Sequence, residues 1–419
     1  MAREVIAGVT TFLTMAYIVV VNPAILSSPG TGIPFSGALT ATVLVCFTMT
    51  LLMGVYAKLP FGVAPGMGLN AFFAYTLVIN GGIPWQTALG IVFWAGVLFL
   101  LVSATPLRER IAMAIPPSLR AATAAGIGLL LTFIGLQNSG FVAANPATMV
   151  GVGALDHRAL LTLAALIVSV WLARRENPFA YLAGIALVTA VSWAAGYVTP
   201  PQSWFSAPDF SSAFLQLDVW GALRLALVPA IVTVLMTDLF DSLSTFIGVA
   251  HAANLVDDRG EPKNLRQGLI VDAFATLGAG LFGTSSGTAY VESIAGIRMG
   301  GRSGVTAIVT ALCFLPCLFV APLAAAIPTY ATSAVLILVG VAMFQPIGRV
   351  PFDRLEVGLP AFATLILIPL TFSITQGILW GFILHAVLHA VAGRAREVTP
   401  AAWGLAGVST VLLVIEHVY

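Results

Sequence analysis

The stretch Leu59-Pro-Phe-Gly-Val-Ala-Pro-Gly-Met-Gly-Leu-Asn70 has a counterpart in the second half of the chain, Leu281-Phe-Gly-Thr-Ser-Ser-Gly-Thr-Ala-Tyr-Val-Glu292. Both stretches are rich in helix breakers or small polar residues, and a short helical run follows each. Extended backbone in the middle of a membrane leaves N–H and C=O groups unpaired, which is tolerable only where these groups line a cavity. Paired interruptions of this kind, at matching places in two halves of a chain, are typical of a transporter binding site.

The composition places the whole chain in a membrane. Of its 419 residues, 59% are hydrophobic and only 8% are charged, whereas about 25% are charged in a typical soluble protein. The formal net charge is +1. These values exclude a soluble enzyme, a disordered chain and a nucleic-acid binder.

Long apolar runs without strand-like alternation predict membrane-spanning helices. We therefore expect an all-α polytopic membrane protein. The fourteen predicted transmembrane segments are 5–25, 37–56, 62–79, 86–104, 119–141, 158–173, 179–198, 225–250, 265–282, 284–299, 304–326, 331–348, 357–374 and 376–393. A further apolar stretch, 401–415, is interpreted as an interfacial helix, with a fifteenth span as the alternative.

The basic residues support this segment count. If the N-terminus is cytoplasmic and the segments alternate in direction, sixteen of the eighteen basic residues fall in the cytoplasm, and only Arg158 and Arg224 fall outside. An excess of Lys and Arg on the cytoplasmic side is what membrane insertion produces. The sequence therefore predicts a cytoplasmic N-terminus.

An internal repeat relates the two halves. An offset of 221 residues aligns Phe61-Gly62 with Phe282-Gly283 and carries the first segment onto the eighth. Each half would then hold seven segments, and because seven is odd the halves would have opposite orientations. We predict a 7+7 inverted repeat in which short extended stretches interrupt segments 3 and 10.

Four acidic residues fall inside the predicted segments, namely Asp238, Asp241, Asp272 and Glu292. Each would cost about 2.5–3.5 kcal/mol at a lipid-facing helix centre, so each is expected to face protein or water. A buried carboxyl without a basic partner readily takes up a proton. We predict that Asp238, Asp241 and Glu292 couple transport to protons, and that Asp272 braces neighbouring helices.

Signals of enzyme or cofactor chemistry are weak. The run from Gly283 to Gly287 matches the Gly-x-Ser-x-Gly pattern of serine hydrolases, with Ser285 as nucleophile. That pattern needs a strand–turn–helix setting and a histidine base, and the membrane histidines, His385 and His389, lie in segment 14. Walker, dinucleotide-binding and metal-binding patterns are absent from the sequence. We expect no cofactor and no enzyme activity, with an intramembrane serine hydrolase as a remote alternative.

At these residues the sequence resembles the AzgA-like purine permeases of the nucleobase–ascorbate transporter superfamily. The likeness covers nearly the whole chain. It is strongest in Ala64-Pro-Gly-Met-Gly-Leu-Asn-Ala-Phe-Phe-Ala-Tyr75, in Thr237-Asp-Leu-Phe-Asp241, and in the runs 8–17, 22–23, 288–293 and 300–304.

The resemblance implies proton symport of adenine, guanine or hypoxanthine into a prokaryotic cell across its cytoplasmic membrane. The mechanism would be an elevator or another form of alternating access, and the protein would often be a homodimer. The resemblance also implies a core domain at 1–110 and 220–327 and a gate domain at 111–200 and 328–396, with the hydrophobic segment 397–419 outside both. Matched motif by motif, Gly68, Asn70, Asp241 and Glu292 correspond to substrate-binding positions, and Asp238 competes with Asp241.

A purine base is flat and neutral and carries donors and acceptors on its edges, so it needs in-plane polar partners and dry walls. We expect the acids to accept from its N–H groups, backbone N–H groups near Gly68 and Ala289 to donate, and aromatic rings to flank its faces. The predicted binding residues are Glu292, Asp241, Asn70, Gly68, Phe72, Phe73, Ala289, Tyr290 and Thr288.

An anion transporter of the sulfate-permease kind is the main alternative, since its architecture resembles the same arrangement. Anion sites use helix N-termini and avoid uncompensated acids. Asp241 and Glu292 therefore count against it.

Overall fold

The computed structural model describes residues 1–105, 116–252, 255–256 and 263–418. Arg108, Arg110 and Arg259, which the topology prediction assigns to the cytoplasm, lie outside the described residues. Every predicted segment overlaps at least one helix.

The helices follow the chain in the predicted order. In segments 1 to 7 they are Ala2–Met15 with Ile18–Leu26, Phe35–Leu52 with a π-helical Met53–Ala57, Met67–Ala71 with a π-helical Phe72–Asn80, Trp85–Ala104, Pro117–Asn138, His157–Ala173 and Ala180–Ala194. In segments 8 to 14 they are Val228–Ala252, Leu265–Phe282, Ser293–Arg298, Gly304–Phe314 with Leu315–Phe319 and Ala321–Ala325, Thr329–Phe344 with Gln345–Arg349, Leu355–Thr371 and Ile374–Val391. Short 3-10 turns lie at Gly221–Leu223, Leu225–Leu227 and Ala395–Glu397, and the last helix is Pro400–Val418.

These helices suit a membrane. Within the described residues, seven are long and apolar enough to cross a bilayer, and six shorter apolar helices have 10–17 residues. The structure therefore supports the helical membrane class, while the count of fourteen spans stays a prediction.

Segments 3 and 10 are interrupted by paired strands. Strand β1 (Val63–Pro65) pairs antiparallel with strand β4 (Gly287–Ala289), in the register Val63↔Ala289. Pro65 lacks an N–H and disfavours helical backbone at Ala64, so this stretch stays extended. The pairing satisfies backbone groups that lipid could not. The predicted extended stretches are confirmed, although β4 begins three residues later than an offset of 221 from β1 gives.

The all-α prediction, which allowed extended stretches only in segments 3 and 10, is wrong at one place in the described residues. Strands β2 (Val142–Asn145) and β3 (Met149–Val152) form an antiparallel hairpin after segment 5. The helix was predicted to reach residue 141 but ends at Asn138, because Gly140 adopts a positive φ of 77°. Glycine in this conformation terminates helices.

The helices make their most extensive contacts within two groups. Segment 9 packs against segments 2 and 4, and segment 11 packs against segments 1 and 2. Segment 5 packs against segments 12 and 13, and segment 6 packs against segments 7 and 12. The paired strands β1 and β4 belong to the first group, which therefore carries the interruption in both halves of the chain.

The C-terminal helix Pro400–Val418 packs lengthwise on segment 14. Leu412 and Leu413 are buried against Leu379 and Ile383 of that segment and against the start of segment 8. The helix has 19 residues, which is longer than the 15-residue stretch predicted from the sequence. The choice between an interfacial helix and a fifteenth span stays a prediction.

Gly304 is expected to be intolerant of a side chain. A Cβ at this position would lie 1.9 Å from the Gly54 carbonyl oxygen of segment 2, and backbone cannot move aside as a flexible side chain can. We expect Gly304→Ala to destabilise the protein by about 1–3 kcal/mol, measured as a lower melting temperature in detergent. Gly407→Ala is the control, since in the part of the chain that the structure describes no atom beyond its own helix backbone and chain neighbours lies within 4 Å of its Cβ position. Equal melting temperatures for the two variants would contradict the close contact.

Candidate functional site

The paired strands bring two helix starts together. Beyond the ladder, the Gly66 N–H donates to the Ser286 carbonyl (2.8 Å) and the Tyr290 N–H donates to the Gly62 carbonyl (2.9 Å). Met67 begins the helical part of segment 3 and Ser293 begins that of segment 10. The first turn of a helix leaves N–H groups without intrahelical acceptors and carries a partial positive charge. The crossing is therefore a polar region enclosed by apolar helices.

Glu292 lies at the start of the helix in segment 10. The residue as a whole is half-buried, and its Oε1 accepts a hydrogen bond from the Tyr17 hydroxyl at 2.6 Å. Its backbone carbonyl accepts from Thr14 Oγ1 at 3.4 Å. No other residue that the structure describes donates to Oε2. This oxygen is thus available to a ligand.

The two acids of segment 8 have different surroundings. Asp238 is fully buried, and its Oδ2 accepts from Ser286 Oγ at 2.6 Å and from Thr276 Oγ1. Asp241, three residues later, is half-buried and accepts no hydrogen bond from any residue that the structure describes. Asp238 therefore ties segments 8, 9 and 10 together, and Asp241 is the acid that is open to a ligand or a proton.

Asp272 accepts a hydrogen bond from a backbone N–H group that we expected to bind the ligand. Its Oδ2 accepts from the Ala289 N–H at 3.2 Å, so the donor that we expected Ala289 to offer a ligand is already used within the protein. The Thr288 hydroxyl is likewise 3.3 Å from the Ser242 hydroxyl. The edge of strand β4 that does not pair with β1 is buried against these side chains, which leaves the helix starts and the acids as the available polar groups.

Asn70 belongs to a buried amide network. Its Nδ2 donates to Asn22 Oδ1 at 3.0 Å, and Asn22 Nδ2 donates to the hydroxyls of Thr42 (2.8 Å) and Thr284 (2.9 Å). Asn70 Oδ1 is buried and has no partner within the described residues. Asn22 was not predicted as a site residue, although an asparagine in an apolar segment is a signal that could have found it.

The predicted ring-flanking residues are packed into the protein. Phe72 and Phe73 are each 1% exposed, and the Tyr290 hydroxyl donates to the Pro65 carbonyl of strand β1. Gly68 permits a close helix contact, because a Cβ there would lie 2.4 Å from Ile127 Cγ2 of segment 5. In this structure Tyr290 braces the strand, and the faces of Phe72 and Phe73 are covered.

Ser285 has no catalytic partner within the described residues. Its side chain is fully buried and its hydroxyl makes no hydrogen bond there. A nucleophilic serine needs an adjacent base. The geometry therefore gives the hydrolase alternative no support.

Comparison with known proteins identifies relatives over nearly the whole chain. The Permease family matches residues 2–392. Adenine permease AdeP of Escherichia coli K12 is 40% identical over 95% of this chain and 89% of its own length. Guanine/hypoxanthine permease PbuO of Bacillus subtilis is 38% identical over 95% of this chain and 94% of its own length.

Solved structures share the fold. The transmembrane domain of the cyanobacterial bicarbonate transporter BicA aligns with a TM-score of 0.67 and 19% identity, covering 91% of this chain and 97% of that domain. SLC26A9 aligns with a TM-score of 0.61 and 10% identity, over 93% of this chain and 65% of its own. At these identities the likeness is one of fold.

The resemblance to AzgA-like purine permeases that was drawn from the motifs is thereby confirmed. With a family match across residues 2–392, this chain belongs to the Permease family and is an integral membrane protein.

Proposed function

We propose that this protein imports the purine nucleobases adenine, guanine and hypoxanthine across the cytoplasmic membrane of a prokaryote by proton symport. The observation that carries the proposal is Glu292, whose carboxyl lies beside the strand crossing. One of its oxygens accepts from Tyr17, and the other accepts from no other residue that the structure describes. The adenine and guanine/hypoxanthine permeases among its relatives support the substrate class.

The available polar groups suit the edges of a purine. Glu292 Oε2 and the Asp241 carboxyl accept from ring or exocyclic N–H groups. Asn70 Oδ1, which is buried in this structure, is a further acceptor without a partner in the described residues. Gly68 lies in the first turn of the helix in segment 3, where backbone N–H groups donate to ring nitrogens or carbonyl oxygens. A protonated carboxyl donates as well. A neutral base thus finds both donors and acceptors.

The proposed transport cycle assigns separate tasks to the two groups of helices. The core domain, residues 1–110 and 220–327, would carry the site, and the gate domain, residues 111–200 and 328–396, would face it. The contacts within each group support this division, and the paired strands support the 7+7 inverted repeat. Alternating access would move one domain relative to the other, as an elevator or by rocking. The homodimer implied by the resemblance stays a prediction.

An anion transporter is the second candidate, because the fold is shared with a bicarbonate transporter. Two half-buried acids, Asp241 and Glu292, disfavour it, since an anion would be repelled by either carboxylate. Competition for uptake distinguishes the two candidates. Purines should compete with the substrate of a purine transporter, and bicarbonate or sulfate with the substrate of an anion transporter.

Uptake of labelled hypoxanthine and adenine, in cells that lack their own purine transporters, tests the proposal. We expect saturable uptake that guanine inhibits competitively. Bicarbonate and sulfate should leave the uptake unchanged. A protonophore should abolish accumulation. Uptake that persists with the protonophore but stops without sodium would replace proton coupling by sodium coupling. If no purine is taken up or competes, the proposed substrate class is wrong.

The cytoplasmic N-terminus is tested by cysteine labelling in a background without the native cysteines. We expect Lys263→Cys and Arg396→Cys to resist an impermeant thiol reagent in intact cells and Ser203→Cys to react, since all three positions are exposed. Asp209 is a poorer external reporter, because hydrogen bonds, led by that from Ser212, hold the pKa of its carboxyl below its usual range and fix it to the protein. Labelling of position 263 from outside would contradict the topology.

A further inference from the structure

Tyr17 occupies an interruption in segment 1. The helix Ala2–Met15 ends just before it and the helix Ile18–Leu26 begins just after it. The side chain is 1% exposed, and its hydroxyl donates to Glu292 Oε1 at 2.6 Å. Within the described residues it is the only side chain that bonds the Glu292 carboxyl.

Segment 1 holds Glu292 at two points. Thr14, one turn before Tyr17, donates to the Glu292 backbone carbonyl at 3.4 Å. The Tyr17 ring is itself held from the other side, because its centroid lies 5.0 Å from that of Tyr181, with the rings at 63°. Tyr181 belongs to the helix Ala180–Ala194 of segment 7. An edge-to-face pair of this kind restricts the direction of the hydroxyl.

The hydrogen bond from Tyr17 determines which carboxyl oxygen of Glu292 a ligand contacts. A carboxylate on a flexible side chain can present either oxygen, and each presentation costs rotamer entropy when a ligand binds. A phenol that donates to Oε1 fixes the plane of the carboxyl in advance. Hydrogen bonds to ionised groups are about twice as strong as neutral ones. Oε2 is thereby directed away from Tyr17 and stays available.

We propose that Tyr17 is a positioning residue of the transport site, which holds Oε1 of Glu292 so that Oε2 is presented to an N–H group on the edge of the purine. This inference rests on the proposed function. It adds to the site a residue outside segments 3, 8 and 10.

Tyr17→Phe removes the donor and keeps the ring. We expect hypoxanthine to bind about tenfold more weakly, because the carboxyl is no longer fixed in advance and its rotamer freedom is lost when the ligand binds. Calorimetry on the purified protein measures the affinity. Tyr330→Phe is the matched control: its buried hydroxyl donates to Ser192 Oγ at 2.9 Å, between segments 12 and 7. We expect its affinity to stay within about twofold of the parent.

A double-variant cycle separates positioning from packing. Glu292→Asp keeps the charge but withdraws the carboxyl from Tyr17, so adding Tyr17→Phe to it should change the affinity by less than about twofold. The ligand-induced rise in melting temperature gives the same comparison when binding is weak. An undiminished loss in the Glu292→Asp background, or a Tyr17→Phe variant that binds like the parent, overturns the proposal. A parent protein that binds no purine instead refutes the proposed function.

Discussion

Replacing Glu292 by glutamine is expected to weaken purine binding by about 10- to 150-fold, the loss of one charge-assisted hydrogen bond of about 1.5–3 kcal/mol. The amide oxygen can still accept a hydrogen bond from the Tyr17 hydroxyl, as Oε1 does in the parent at 2.6 Å. The amide nitrogen then takes the place of Oε2 and directs its N–H groups at the N–H groups of the base. A donor then stands where the base needs an acceptor. The loss of binding free energy is therefore larger than removal of the negative charge alone would cause.

Calorimetric titration of purified Glu292→Gln with hypoxanthine measures this effect. Glu397→Gln is the control, because the same substitution is made there at a carboxylate that is 49% exposed and paired with Arg354 and Arg394. We expect the control to bind like the parent. Glu292→Gln should still fold, since its bond to Tyr17 is retained. If it is well expressed and binds like the parent, the site lies elsewhere.

The positions of the interrupted segments could be predicted from the sequence. Proline and glycine restrict the backbone locally, so Pro65 and its neighbouring glycines indicate extended chain wherever the rest of the protein packs. The acids inside the segments could also be predicted from the sequence, because an ionisable residue in an apolar segment is costly unless it has a function. Both inferences depend on local properties of the chain.

The partners of these residues could not be predicted. Asp238 and Asp241 are equivalent in the sequence pattern, and they differ only because Ser286 and Thr276, from segments 10 and 9, reach one and not the other. Ala289 lost its predicted role because Asp272, 17 residues away in the chain, accepts from its N–H. Such contacts are set by helix packing, which the periodicity of a single segment does not encode.

Segment 1 shows the same limit. Its sequence has the apolar character of a span, and its quoted runs, 8–17 and 22–23, carried the family resemblance. Nothing in them indicated that Tyr17 and Asn22 approach the residues 292 and 70, which are 275 and 48 positions away. These contacts between segment 1 and segments 3 and 10 depend on how the helices pack, which the sequence of segment 1 alone does not reveal.

Replacing Asp241 by asparagine is expected to abolish proton-driven accumulation while purine binding stays within about tenfold of the parent. An amide keeps a hydrogen-bond acceptor but cannot carry a proton. A proton that moves down about 100 mV releases about 2.3 kcal/mol, enough for about 50-fold accumulation of a neutral base. In Asp241→Asn the ratio of internal to external purine should therefore fall towards about one, with exchange of labelled for unlabelled purine retained.

Folding should be preserved in Asp241→Asn, because the Asp241 carboxyl has no hydrogen bond to the described residues. Asp238→Asn provides the contrast. Its oxygen can keep the hydroxyls of Ser286 and Thr276, but its NH2 group then takes the place of Oδ1, which is buried and has no partner in the described residues, so the yield of folded protein should fall. Accumulation ratios in proteoliposomes with an imposed proton gradient distinguish the two variants. Uphill transport by Asp241→Asn at the level of the parent would assign the proton to another acid, and Glu292 would be the next to test.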